Sequence, residues 1–224
     1  MLIRRESPKP PRAVGSRRTY DPLKRAIDIL VSAVGLVVTA PVQAVTAVVV
    51  LAAYGRPVIF RQVRPGREGT LFELVKFRTM RQPDATHVTD AERLTSVGRF
   101  LRSTSLDELP TLWNVFKGDM SLVGPRPLLV EYLPLYNSHQ ARRHEVRPGV
   151  TGLAQVSGRN GVAWENRLSL DVEYVDRRNL GLDMEILART VGAVLRRQGI
   201  SGEGHATMST FKGSQSARVG DDVA

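Results

Sequence analysis

Cysteine is absent from all 224 positions, which excludes disulfides and thiol nucleophiles and fits a chain whose bulk stays in a reducing compartment. The histidines, His87, His139, His144 and His205, have no metal-ligand spacing, so zinc is not expected. There is no Walker A pattern and no dinucleotide-type GxGxxG. The Asp-x-Asp pair usual in metal-dependent globular nucleotide-sugar transferases is also missing. No Ser–His–acid arrangement is legible, although a triad need not show in sequence. No internal repeat occurs. These absences remove redox, zinc and P-loop chemistry and leave carboxylates and cations as the chemical resources.

What is present is positive charge and a single long apolar run. Thirty-two Lys and Arg against 22 Asp and Glu give a net charge of +10. Such a balance implies an anionic partner, and nucleic acid, anionic lipid and nucleotide-sugar all qualify. Residues 1–20 carry Arg4, Arg5, Lys9, Arg12, Arg17 and Arg18 among prolines without apolar periodicity. They read as a disordered basic arm against anionic headgroups. The run from Ala26 to Ala53 contains one ionisable residue, Asp28. As a straight helix it would measure about 42 Å against a hydrocarbon core of about 30 Å, so one transmembrane pass is the default. Two features favour a re-entrant hairpin instead. Pro41 removes a backbone donor in the middle, leaving limbs of about 20 Å, each too short to cross. Basic clusters also flank both ends, Arg17, Arg18, Lys24 and Arg25 before and Arg56, Arg61, Arg64 and Arg67 after. A hairpin keeps both clusters on the cytoplasmic side.

Beyond residue 55 the pattern is mixed. Val58–Arg64 and Leu71–Phe77 are β-rich runs joined by Pro65-Gly66-Arg67-Glu68-Gly69, a predicted hairpin with Lys76 and Arg78 on one strand face. Residues 81–92 read as a polar loop. Leu94, Val97, Phe100 and Leu101 predict a helix leading into Arg102. Leu128–Tyr136 predicts a short amphipathic helix with Tyr132 and Tyr136 at headgroup level or in a core. Trp164–Arg177 has helical spacing, and Met184, Leu187, Val191, Val194 and Leu195 form an apolar stripe explained by core packing or by interfacial docking. From about Ser214 the chain reads as a disordered tail.

The densest chemistry lies in Arg102-Ser-Thr-Ser-Leu-Asp-Glu-Leu-Pro110, followed by Asn114, Lys117-Gly-Asp-Met-Ser121 and Leu122-Val-Gly-Pro-Arg-Pro127. Two adjacent carboxylates, Asp107 and Glu108, stand between Arg102 and Arg126. Carboxylates serve as nucleophile, base or ligand to a hard cation, and arginine forks suit phosphate. Ser105 with Glu108 reads as a capping box for a helix to about Lys117, placing Asp107 in its first turn. By spacing alone the pair reads equally well as ordinary helix-start acids.

This segment closely resembles the signature of the bacterial sugar transferase family, the monotopic polyprenyl-phosphate phosphoglycosyl transferases. The likeness runs from Lys24 to about Gly213, with Thr104–Pro127 its most specific block. It implies an α+β, mostly helical monotopic membrane protein, with a Pro-broken re-entrant helix over 21–54. A cytoplasmic catalytic domain containing a small β-hairpin would follow over 55–213. It implies transfer of a phospho-sugar from a UDP-sugar to polyprenyl phosphate at the bacterial inner membrane, with Asp107 as nucleophile through an aspartyl-phosphosugar. Mg²⁺ on Asp107 and Glu108 is implied, with Lys76, Arg102 and Arg126 near the phosphates. Lys24, Arg25, Gln155, Arg159, Asn160 and Asp171 are further substrate-binding candidates by the same likeness. Ala40-Pro41 replaces the usual Ser-Pro, with Thr39 as a substitute hydroxyl. The multi-pass N-terminal region of larger members is not in the chain, so the catalytic core alone is expected. Ser201–Thr207 and Phe211 resemble the tail of bacillosamine-type members and point to an N-acetylated amino sugar. A tethered scaffold for anionic lipid or nucleic acid is the competing reading. It explains the charge and the apolar run but not the bracketed carboxylates, so nucleic acid is not expected as a partner. Oligomeric state stays open between monomer and homodimer.

Overall fold

The computed structural model describes residues 20–83, 88–157, 163–196 and 210–213. The expected basic arm and tail therefore lie outside the described residues, apart from Tyr20. So do Arg159, Asn160 and Ser201–Thr207.

The apolar run forms α1 (Tyr20–Tyr54), a 35-residue helix that continues through Pro41 as one element. It is long and apolar enough to cross a membrane, and only 11% of its most apolar window is buried within the protein. Leu30 and Val37 stand 66% and 75% exposed. Exposed aliphatics in that number need an apolar solvent, which identifies a membrane-associated chain. The side turned to the protein is different. Asp28, Ser32, Thr46 and Val50 are its buried residues, on one stripe at helical spacing. The hydroxyls of Ser32, Thr39 and Thr46 donate to the carbonyls of Asp28, Gly35 and Val42 at 2.5, 2.6 and 2.8 Å. Each hydroxyl is thus satisfied within the helix, so the polar stripe does not penalise an apolar setting.

Both ends of α1 are clasped by the same body. At the start, the Tyr20 hydroxyl donates to Asp183 at 2.5 Å, and Lys24 pairs with the same carboxylate. Arg25 donates to the carbonyls of Val115 and Phe116, and Asp28 accepts from the Leu122 N–H at 3.1 Å. At the far end Val50 enters a cluster with Phe77 and Leu101. The Arg78 guanidinium donates to the carbonyls of Tyr54, Gly55 and Arg56, closing the helix C-terminus.

β1 (Ile59–Pro65) pairs antiparallel with β2 (Leu71–Phe77), with Phe60 opposite Lys76 and Arg64 opposite Phe72. This is the predicted hairpin. Its turn uses positive φ at Glu68 and Gly69. Arg78 does not share a strand face with Lys76, because β2 ends at Phe77 and Arg78 is drawn to the α1 carbonyls.

α2 (Asp90–Arg93) begins with a Thr89–Glu92 capping box, and α3 (Ser96–Ser103) is capped by Thr95. The predicted helix into Arg102 thus exists but starts after Leu94. α4 (Thr111–Lys117) leads to β3 (Ser121–Val123), which pairs in parallel with β4 (Gly149–Thr151). Gly124 and Gly149 permit this contact, since a Cβ on Gly149 would lie 2.1 Å from the Gly124 nitrogen. The predicted amphipathic helix is instead a 3-10 stretch, Val130–Leu135, holding Pro134. Tyr132 is buried with Leu128, Leu168 and Phe211 rather than presented to headgroups. After α5 (Ser138–Ala141) and α6 (Leu153–Val156), α7 (Trp164–Arg177) and α8 (Leu180–Leu195) fall where predicted. The main core joins Val115, Met120, Leu122, Val123, Tyr174 and Ile186. The expected stripe of α8 is only partly used, with Met184, Val191 and Leu195 exposed.

Candidate active site

Asp107 and Glu108 do not open a long helix. They lie on a single 3-10 turn, Leu106–Glu108, and α4 starts three residues later behind Pro110. The predicted capping box fails because Ser105 is left-handed, at φ 55° and ψ 18°, and its hydroxyl caps nothing. A serine held in that region is a strained position of the kind that accumulates at functional sites. Proline at 110 prevents the 3-10 turn and α4 from merging with full hydrogen bonding.

Side chains of α4 then fasten this turn to the hairpin. Thr111 donates to the Val75 carbonyl at 3.0 Å. Asn114, fully buried, accepts from the Val75 N–H at 3.1 Å and donates to the Glu73 carbonyl at 2.7 Å. The next residue of β2 is Lys76, and it is thereby brought beside the carboxylates.

Asp107 is 5% exposed and Glu108 half-buried. Burial pushes the Asp107 carboxyl up to about 6, and the Glu108 charge adds to the rise, while Lys76, Arg102 and Arg126 oppose it. Burial lowers Lys76, with Asp107 the chief opposing charge, and it lowers Arg102 likewise. The Arg102 Nε donates to Thr79 Oγ1 at 3.0 Å. Arg126, whose side chain is 45% exposed, pairs with Glu108 at 3.0 Å, and that carboxylate raises its pKa. Behind it, buried Arg143 bonds Asp171 at 2.8 Å and the Arg126 carbonyl at 2.6 Å.

Five predicted residues therefore meet: Lys76, Arg102, Asp107, Glu108 and Arg126. Others are occupied elsewhere. Lys24 is bound to Asp183, and Arg25 caps the C-terminus of α4. Asp171, lifted by burial, partners Arg143 and supports Arg126 from beneath. Gln155 donates to the Val150 carbonyl at 2.9 Å, and its Oε1 is buried without a partner. Thr79, Arg143 and Arg64 are neighbours the sequence reading did not single out. Arg64 was counted only among the charges flanking the apolar run, and no local motif marks it. Among the described residues no three His, Cys, Asp or Glu side chains group to hold a metal.

A buried carboxylate with a raised pKa, facing several cations, marks this cluster as the candidate functional site. The family model for bacterial sugar transferases matches residues 19–197. An uncharacterized sugar transferase of Bacillus subtilis (strain 168), EpsL, is 50% identical over 195 residues, covering 86% of this chain and 96% of that protein. A UDP-glucose:undecaprenyl-phosphate glucose-1-phosphate transferase of Caulobacter vibrioides is 38% identical over 192 residues, 80% of this chain and 72% of that one. An undecaprenyl-phosphate galactose phosphotransferase of Salmonella typhimurium is 40% identical over 204 residues, 82% of this chain but 43% of that longer protein. The chain belongs to the bacterial sugar transferase family and is an enzyme of the phosphoglycosyl transferase class.

Proposed function

We propose that the protein transfers a phospho-sugar from a UDP-sugar to undecaprenyl phosphate in two displacements through Asp107. In the first, an Asp107 oxygen attacks the β-phosphorus, the bond from that phosphorus to the bridging oxygen breaks, and UMP leaves. In the second, an oxygen of the lipid phosphate attacks the aspartyl phosphorus, releasing the Asp107 carboxylate and forming undecaprenyl-diphosphate-sugar. The observation that carries this reading is the burial of Asp107 among Lys76, Arg102 and Arg126. Phosphoryl transfer is promoted chiefly by positioning and charge neutralisation, and these cations stand where charge would accumulate. A scaffold would gain nothing from a carboxylate kept at such a desolvation cost.

The two carboxylates with substrate phosphates fit the oxygen donor set of Mg²⁺, which would shield the approach of anion to anion when bound. Glu108 would share that role while holding Arg126 by its other oxygen.

The clasped ends of α1 support a re-entrant hairpin. Ion pairs at Asp183 and carbonyl caps at Arg78 hold both ends to one polar body, which cannot lie on two sides of a bilayer at once. We place that body on the cytoplasmic face, with the basic flanks.

Enzyme incubated with UDP-sugar and Mg²⁺ without lipid tests the chemistry. The expected result is UMP release of at most about one equivalent and a mass gain of one phosphosugar. UDP-glucose, UDP-galactose and N-acetylated amino sugars form the donor panel. A chain that releases UMP only after lipid is added uses direct attack by the lipid phosphate instead.

A further inference from the structure

We infer that Phe60 is a positioning residue of the transfer reaction, its ring face holding the Lys76 ammonium toward the reacting phosphate without claiming its protons. The inference rests on the reading above, in which Lys76 neutralises charge at that phosphate, and adds a residue outside the carboxylate motif. Phe60 and Lys76 stand directly opposite each other on the hairpin, so both side chains leave the same face. The Lys76 Nζ lies over the Phe60 ring, 5.4 Å from its centroid. That is within the range at which a ring quadrupole attracts a cation. Among the described residues no carboxylate or carbonyl holds this ammonium by a hydrogen bond. The ring is its contact.

Core packing does not account for an aromatic at this position. Phe60 is 37% exposed and joins none of the three buried clusters among the described residues. Lys76, by contrast, is drawn inward. β2 packs against the Leu106–Glu108 turn and is fastened to α4 by Thr111 and Asn114. Burial lowers the Lys76 pKa, and Asp107 is the chief charge opposing that fall. An ammonium on a flexible four-carbon stem needs a partner to keep it there. A carboxylate would hold it by neutralising its charge and occupying its donors. A ring face attracts the same charge and leaves N–H groups free to meet a phosphate oxygen.

The test replaces Phe60 by phenylalanines carrying one, two or three ring fluorines, in the full chain in nanodiscs. Fluorine drains the negative ring face stepwise at nearly constant shape. The readout is kcat/KM for the fastest donor among UDP-glucose, UDP-galactose and UDP-linked N-acetylated amino sugars, with undecaprenyl phosphate present. It should fall with each fluorine, to about tenfold below wild type at three, while the melting temperature stays put. Phe60→Leu should fall as far, and Phe60→Tyr should stay within about twofold, because the phenol keeps its ring face. In the Lys76→Met background the residual rate should not respond to fluorination, since the ring acts through the ammonium. A flat series makes Phe60 a packing residue and overturns the inference. A fall of the same size in the Lys76→Met background means that the ring meets substrate itself, and also overturns it. If Phe60→Leu has no thermal transition, the near-isosteric fluorinated series decides. The series is read with lipid present, so it stands apart from the two-displacement reading, which fails separately if wild type releases UMP only after lipid is added.

Discussion

Asp107 carries a charge that the fold resists, and both its chemistry and its cost follow. In the proposed two-displacement reaction the carboxylate, not the acid, would be the nucleophile, and with its pKa at about 6 about half the sites would be competent at that pH. The UMP burst rate should therefore fall about tenfold per pH unit well below 6, as stopped-flow or quench measurements at pH 4.5 to 8 would read. The Glu108 charge raises the same carboxyl, so the profile reports the pair. Asp107→Asn should abolish burst and adduct together, because an amide is no nucleophile. It should also stabilise the protein. The folded pKa is raised above the ordinary value of 3.8, so stability from this group is full below about pH 4 and is lost as pH rises through about 6. At pH 8 the Asn variant should melt higher, by on the order of 1–3 kcal/mol, and near pH 4 the difference should vanish. A lower melting point at pH 8 would mean that Lys76 and Arg102 need the charge more than burial penalises it.

At the scale of elements, α1 decides how the enzyme meets its membrane. Its lipid side is aliphatic, its protein side is a stripe of small polar residues, and both termini are pinned. Single cysteines placed at positions 18 and 67 of the cysteine-free chain should both be labelled from the cytoplasm only. Periplasmic labelling of either in intact cells would mean a single pass. Replacing Pro41 with Leu restores a backbone donor to Val37 and removes the ring clash, so a fraction of molecules should take up a single pass. The element that carries Arg102 has its own constraint. A Cβ on Gly98 would lie 1.9 Å from the Thr79 carbonyl oxygen. Gly98→Ala should therefore displace α3 and cost about 1–3 kcal/mol by overpacking, visible as a lowered melting temperature.

Across the whole molecule, Asp183 joins the membrane helix to the last one. It accepts from Tyr20, Lys24 and the buried Tyr174 hydroxyl, which itself donates to the Val123 carbonyl at 3.0 Å. Val123 ends β3, three residues before Arg126. The same node thus ties α1 to the segment that carries Arg126, the residue paired with Glu108. Asp183→Ala leaves Lys24 buried and unpaired there, and about 3–5 kcal/mol of stability should be lost in nanodisc melting. A change under 1 kcal/mol would show that Lys24 finds water instead.

The sequence alone determined the elements whose pattern is local. The apolar run, the β-hairpin around Pro65–Gly69, and helices α7 and α8 were legible because periodicity and turn residues act over a few positions. So was the Asp107–Glu108 pair between arginines. Tertiary structure decided which charges the pair meets. Lys76 reaches it because Asn114 and Thr111 bind β2, and Arg126 is held by Arg143 through its carbonyl, while Lys24, Arg25 and Asp171 are spent on Asp183, α4 and Arg143. The capping box was misread because Ser105 takes a left-handed backbone in place of the extended one a capping serine needs, and its hydroxyl makes no cap bond. The partners of a buried charge are chosen by long-range packing and desolvation, and neither leaves a local pattern in the chain.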